Sequence, residues 1–205
     1  KHYPLHLDNK QSFTKDELFP NEKKQLFEML LNIPTIIHIG SVAENYYLNL
    51  TKDIDFSMLQ VLSTNFNEDI KTINSYCKEI LGDEYNKIVI NFYRPFFQFW
   101  DTRVEFIIDG STLITVFGNN GICLPYNNIY VKDLKINRLQ TGGFYKKLKG
   151  GSHSSDDEIV IKMATFILLF NHNLIARHYE YINRRDDYKK YENLLSLLLK
   201  KRRTY

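Results

Sequence analysis

The chain has 205 residues, 43% of them hydrophobic, with 27 basic and 24 acidic side chains and a formal net charge of +3. That balance excludes a disordered or low-complexity chain and leaves ample length for one full hydrophobic core. Two widely separated cysteines, Cys77 and Cys123, exclude a disulfide framework and suit a reducing compartment. No stretch reads as a signal peptide, a transit peptide or a membrane span; the longest apolar run, Ile159 to Phe170, is twelve residues and carries Lys162. It reads instead as a core helix. The chain begins with Lys, which reads as a piece of a longer protein.

Residues 1–34 form a helical lead-in. Thr14 to Glu17 is a capping box, in which the Thr and Glu side chains satisfy free N–H groups at a helix start. Pro20 interrupts, and Asn21 is placed to cap a helix whose Leu26, Phe27, Leu30 and Leu31 share a face. Pro34 separates that helix from a strand, Thr35 to Ile39. A Gly-Ser turn, one short helix and a second strand with Asp53 and Asp55 follow. Farther on, Asn65 with Glu68 caps a helix carrying Ile70, Ile73, Cys77, Ile80 and Leu81 on one stripe, and Gly82 stops it.

From Lys87 to Phe117 the pattern turns to strands: Ile88–Tyr93, Phe96–Trp100, Arg103–Ile108 and Leu113–Phe117. Asp109-Gly110 between apolar runs signals a two-residue hairpin. Residues 118–155 read as a long connection with one short strand near Ile129 to Val131. Ser155 to Glu158 is a second capping box, expected to start the buried helix, and a last helix runs from Asp187 to Lys201 with Tyr188, Tyr191, Leu195 and Leu198 on one face. The fold class is therefore α/β: a mixed sheet over residues 35–155 with helices mainly on one face, and C-terminal helices over 156–205.

The chemistry concentrates between Thr35 and Met58. Alternation along a strand puts Asp53 and Asp55 on one side, about 7 Å apart, with Ile54 and Phe56 toward the core. Two such carboxylates suit a hard divalent cation better than an apolar interior. Gly40 and Ser41 open a helix, whose N-terminal N–H groups and dipole suit phosphate. This arrangement of Ile39-Gly40-Ser41, an eleven-residue spacer and Asp53-Ile54-Asp55-Phe56 resembles the signature of the DNA polymerase β-like nucleotidyltransferase superfamily. Within it, that spacing and the Tyr-, Asn-, Lys- and Ile-rich sequence are most similar to the poly(A) polymerases of large cytoplasmic DNA viruses, of poxvirus and giant-virus type.

The resemblance implies the polymerase β-like fold, Mg²⁺ or Mn²⁺ as cofactor, ATP as donor, an RNA 3′ end as acceptor and a cytoplasmic, virion or viral-factory location, with no membrane partner. It leaves room for further domains or a processivity subunit. It also implies a third carboxylate on a strand beside Asp53 and Asp55. Glu105, mid-strand among apolar residues, is the first choice, with Asp109 and Asp101 behind it. The alternative for Glu105 is a salt bridge to Arg103 or a cross-strand lysine, and the superfamily usually has Asp at this position. Gly40, Ser41, Lys146 and Lys147 are the candidate nucleotide contacts; the last two fall, with Lys149, in a glycine-rich segment whose simpler reading is a plain solvated loop.

Other features read more plainly. His38 is expected to be a hydrogen-bonded core histidine, and His172 and His178, six apart, are wrongly spaced for a shared metal. Phe92, Tyr93, Phe96, Phe97, Phe99 and Trp100 read as core, with base stacking as the alternative. Residues 1–176 carry 18 basic and 20 acidic groups, whereas 177–205 carry 9 and 4, an excess that reads as a solvated helix face or as a contact for a polyanion. The rival to catalysis is a non-catalytic module of the same fold that binds nucleic acid or a partner polymerase.

Overall fold

The computed structural model describes residues 19–48, 56, 58–95, 101–119, 123–130, 160–183 and 188–202. In chain order these form α1 (Pro20–Leu30), β1 (Ile36–Ile39), α2 (Gly40–Leu48), β2 (Leu59–Ser63), α3 (Phe66–Leu81), a 3-10 turn (Gly82–Lys87), β3 (Val89–Tyr93), β4 (Thr102–Ile108), β5 (Ser111–Gly118), β6 (Tyr126–Tyr130), β7 (Val160–Ala164), α4 (Phe166–Ile182) and α5 (Tyr188–Arg202). The seven described strands make one mixed sheet in the order β3-β4-β5-β2-β1-β7-β6. β1 runs antiparallel to β2 and parallel to β7, and β2 runs parallel to β5.

Alternation along the strands divides the core. Val61, Val104, Phe106, Ile114, Val116, Ile161 and Met163 pack with Leu26, Phe27 and Leu30 of α1 and Ile73 and Cys77 of α3. Ile37, Ile39, Leu62 and Phe117 pack with Leu168 and Ala176 of α4 and Tyr191 and Leu194 of α5. The mixed α/β class is thus realised, but helices cover both faces rather than mainly one, because successive strand residues are apolar on both sides: α1 and α3 lie on one face and the C-terminal helices close the centre of the other. A polar knot fastens the first face: the Thr35 hydroxyl donates to Asp69 (2.6 Å), and so does the Ser63 hydroxyl (2.5 Å). A helix side chain thereby holds the ends of β1 and β2 together.

Several expected details change. Pro20 begins α1 at its first turn, where its missing N–H costs nothing, so Asn21 is not the cap. Asn65 precedes α3 but makes no side-chain cap bond; its own N–H donates to the Ser63 hydroxyl. The largest correction concerns the apolar run Ile159 to Phe170. Val160–Ala164 is a strand inside the sheet, and the helix starts only at Phe166, capped by Thr165, whose hydroxyl accepts from the Leu168 N–H. Part of the segment assigned to C-terminal helices, 156–205, therefore belongs to the sheet. The two capping boxes, the strand Phe96–Trp100 and the Asp53–Asp55 strand lie outside the described residues.

Two turns demand glycine. Asp109 and Gly110 both have positive φ, 47° and 76°, as a two-residue hairpin between antiparallel strands requires. Gly40 has φ 62°, and a Cβ there would meet the Met58 carbonyl oxygen at 2.7 Å and Gln60 Cβ at 2.8 Å. Gly40→Ala is expected to cost at least about 2 kcal/mol, from left-handed strain plus the displacement of β2. A urea unfolding midpoint equal to that of the parent would show that the junction relaxes freely.

Candidate functional site

The Gly-Ser turn sits where the sequence puts it. β1 ends at Ile39 and α2 starts at Gly40, with Gly40, Ser41, Val42 and Ala43 all buried. Ser41 directs both its donors inward: its N–H (3.1 Å) and its hydroxyl (2.9 Å) donate to the Met58 carbonyl. These two bonds pin the start of β2 against the start of α2, three residues after Asp55 in sequence. In this arrangement the Ser41 groups expected to face phosphate are already satisfied by protein. Asp53, Asp55, Lys146 and Lys147 lie outside the described residues.

Glu105 takes the ion-pair alternative. It sits on β4, which is separated from β2 by β5, opposite Thr115, which in turn is opposite Gln60. One carboxylate oxygen is 3.1 Å from Arg103 Nη2, and the other accepts from the Tyr93 hydroxyl at 2.7 Å. Arg103 lies between the rings of Tyr93 (4.2 Å) and Tyr179 (4.6 Å) and also reaches Glu180 of α4 at 3.8 Å. Arg103 and Glu180 are buried, Glu105 nearly so. Asp101 and Asp109 stand at opposite ends of β4, so the three candidates for a third carboxylate do not converge. No group of three or more His, Cys, Asp or Glu able to hold a metal occurs among the described residues.

Sequence reasoning missed the extension of this cluster. His172 of α4 approaches Gln60 Oε1 at 3.2 Å and lies edge-on to Phe117. Gln60 also donates to the Tyr191 hydroxyl at 3.4 Å, and Asn173 donates to Glu44 at 3.1 Å. The only sequence hint was polar residues on otherwise apolar helix faces. Their partners lie more than a hundred residues away, so spacing could not reveal them. His38 is a core residue as expected, edge-on to Phe27, yet its Nδ1 has no hydrogen-bond partner among the described residues.

Burial pushes His38 down to about 4. Burial, with the Arg103 charge adding to it, pushes His172 down to about 3. Both rings are therefore neutral in the folded protein near pH 7, while on unfolding they return to about 6.5. Below pH 6.5 the unfolded chain binds protons that the folded chain refuses, so stability falls as pH drops toward 4 for His38 and 3 for His172. Between pH 6.5 and 5 the loss is about 2 kcal/mol per histidine. Urea midpoints measured at the two pH values test this. His38→Leu should remove its share of the slope, and an unchanged slope would assign the pH dependence elsewhere.

Comparison with known proteins decides the family. A family model described as "APMV, Putative poly(A) polymerase, catalytic subunit, C-terminal" matches residues 1–205. The chain belongs to this family. A putative poly(A) polymerase catalytic subunit of Acanthamoeba polyphaga mimivirus is 29% identical over 77 residues, which are 38% of this chain and 13% of that protein. The crystal structure of the Megavirus polyadenylate synthase superposes with a TM-score of 0.65 at 15% identity, over 90% of this chain and 34% of that one. The fold is thus the one a giant-virus polyadenylate synthase uses, as the Gly-Ser and Asp-x-Asp pattern implies. This chain spans about a third of that solved relative.

Proposed function

We propose that this chain is the part of a giant-virus-type poly(A) polymerase that performs nucleotidyl transfer, adding AMP from ATP to an RNA 3′ end with release of pyrophosphate. The observation that carries this reading is the coincidence of motif and fold. The Ile39-Gly40-Ser41 element lies on a strand-to-helix junction bonded to Met58, just downstream of Asp53 and Asp55, in a chain whose family is named for poly(A) polymerase catalytic subunits. Asp53 and Asp55 have the oxygen donors that Mg²⁺ or Mn²⁺ takes, and such an ion would supply Lewis-acid polarisation of a phosphate. Glu105 would join them only by giving up Arg103 and Tyr93. Ser41 would offer its hydroxyl to phosphate by exchanging the Met58 carbonyl, and Lys146 and Lys147 would neutralise phosphate charge. On the resemblance to the poly(A) polymerases of large cytoplasmic DNA viruses alone, we place the activity in the cytoplasm, in or near viral factories.

A second reading has its own support. The bonds that occupy Ser41 and the ion pair that occupies Glu105 suit a non-catalytic subunit of the same fold within a larger polymerase. Incubation with labelled ATP, Mg²⁺ and an oligonucleotide primer separates the two. Incorporation that disappears in Asp55→Asn supports catalysis in this chain. No incorporation by a folded chain that still binds RNA supports the structural role.

A further inference from the structure

α4 and α5 cover the centre of their sheet face, over Ile37, Ile39, Leu62 and Phe117, and leave its β6 edge open. On that edge Tyr126, Asn128 and Tyr130 are all exposed, and as alternate residues of one strand they share a face. The pairing Asn128↔Lys162 puts Lys162 of β7 on the same face. Its ammonium lies 5.0 Å from the centre of the Tyr126 ring while donating to the Pro34 carbonyl at 2.7 Å. The two tyrosines thus leave the strand on either side of Asn128, from backbone positions about 13 Å apart at roughly 3.3 Å per residue. A charged group lies beside the first of them.

We propose that the Tyr126–Asn128–Tyr130 face, with Lys162, is a stacking platform for single-stranded RNA. Two tyrosines that far apart suit bases separated by one intervening nucleotide in an extended strand. Stacking on a phenol ring needs no particular base, which suits a partner read by its backbone and its ring faces. Asn128 can hydrogen-bond a base edge or a sugar hydroxyl between the rings. Charge favours RNA over an apolar peptide. Residues 131–150, which follow β6 in sequence, contain Lys132, Lys135, Arg138, Lys146, Lys147 and Lys149 against the single acid Asp133. The platform gives the acceptor strand of the proposed reaction a seat on this chain, and so it rests on that reading for its biological meaning.

The test is fluorescence anisotropy of this chain with a labelled 15-nucleotide oligo(A) RNA in EDTA without ATP. Tyr126→Ala and Tyr130→Ala should each weaken binding about tenfold, while Tyr→Phe at either position keeps it. Lys162→Gln should reduce the slope of log affinity against log salt by about one. Both tyrosines are exposed, so thermal unfolding of the alanine variants should match the parent. Equal RNA affinity in parent and Tyr126→Ala/Tyr130→Ala overturns the proposal, as does a parent that binds no RNA, or one that binds only through an edge-paired peptide. The labelled-ATP assay keeps the two ideas apart. Tyrosine-dependent binding without nucleotide transfer sinks the catalytic reading alone, and transfer with tyrosine-independent binding sinks the platform alone.

Discussion

Replacing Arg103 by Met is expected to cost about 3–5 kcal/mol, the usual penalty for removing one partner of a buried ion pair. The change would take the guanidinium that Glu105 and Glu180 share away from both carboxylates and empty the space beside the Tyr93 and Tyr179 rings. A domain of this size holds only about 5–15 kcal/mol in total, so the variant should unfold at much lower urea or aggregate on expression. Arg103→Lys keeps the charge but loses the planar stack and the forked donors, and should fall between the two. Adding Glu105→Gln and Glu180→Gln to Arg103→Met removes the two carboxylate charges that lost their shared cation and should restore part of the loss. A single variant as stable as the parent would mean that the cluster is solvated and contributes nothing. The same experiment bears on Glu105: as a partner of Arg103 its Gln variant loses stability, whereas as a metal ligand it would gain stability in metal-free buffer and lose metal affinity.

What could be read from the sequence was what local chemistry determines. α3 follows from the 3.6-residue stripe that buries Ile73 and Cys77, and the β4–β5 hairpin follows from Asp109-Gly110, the pair able to take positive φ at both positions. β7 did not follow, because a twelve-residue run interrupted only by Lys162 and Thr165 hides its period and a buried strand looks like a buried helix. The available sign was Thr165, a capping residue inside the run, preceded by the alternating Ile161, Lys162 and Met163. The site divided the same way. The Gly-Ser junction was local and stands where expected, and the pairing of Arg103 with Glu105, two apart on one strand face, was open to anticipation. The tie from Ser41 to Met58, and those from Arg103 to Glu180 and Gln60 to His172, span loops or the whole sheet, and no local pattern encodes them.

Asp53→Asn or Asp55→Asn is expected to abolish metal-dependent nucleotide transfer, by about a thousandfold or more, while leaving the chain folded. The size follows from the role: losing a carboxylate that holds a divalent cation removes several kcal/mol of transition-state stabilisation, and each 1.4 kcal/mol is about a factor of ten in rate. The sign of the stability change is the more discriminating part. Two carboxylates one residue apart repel when no cation lies between them, so neutralising one should leave the thermal midpoint in EDTA unchanged or slightly higher. Added Mg²⁺ should then raise the midpoint of the parent and not of the variants, since a ligand that binds only the folded state stabilises it. Full transfer activity in either variant would sink the catalytic assignment. A variant that unfolds early in EDTA would make the aspartates structural, like Asp69, whose carboxylate joins β1, β2 and α3. Loss of transfer together with loss of the Mg²⁺-dependent shift, in a chain that still binds RNA, is the outcome that places the cation between Asp53 and Asp55.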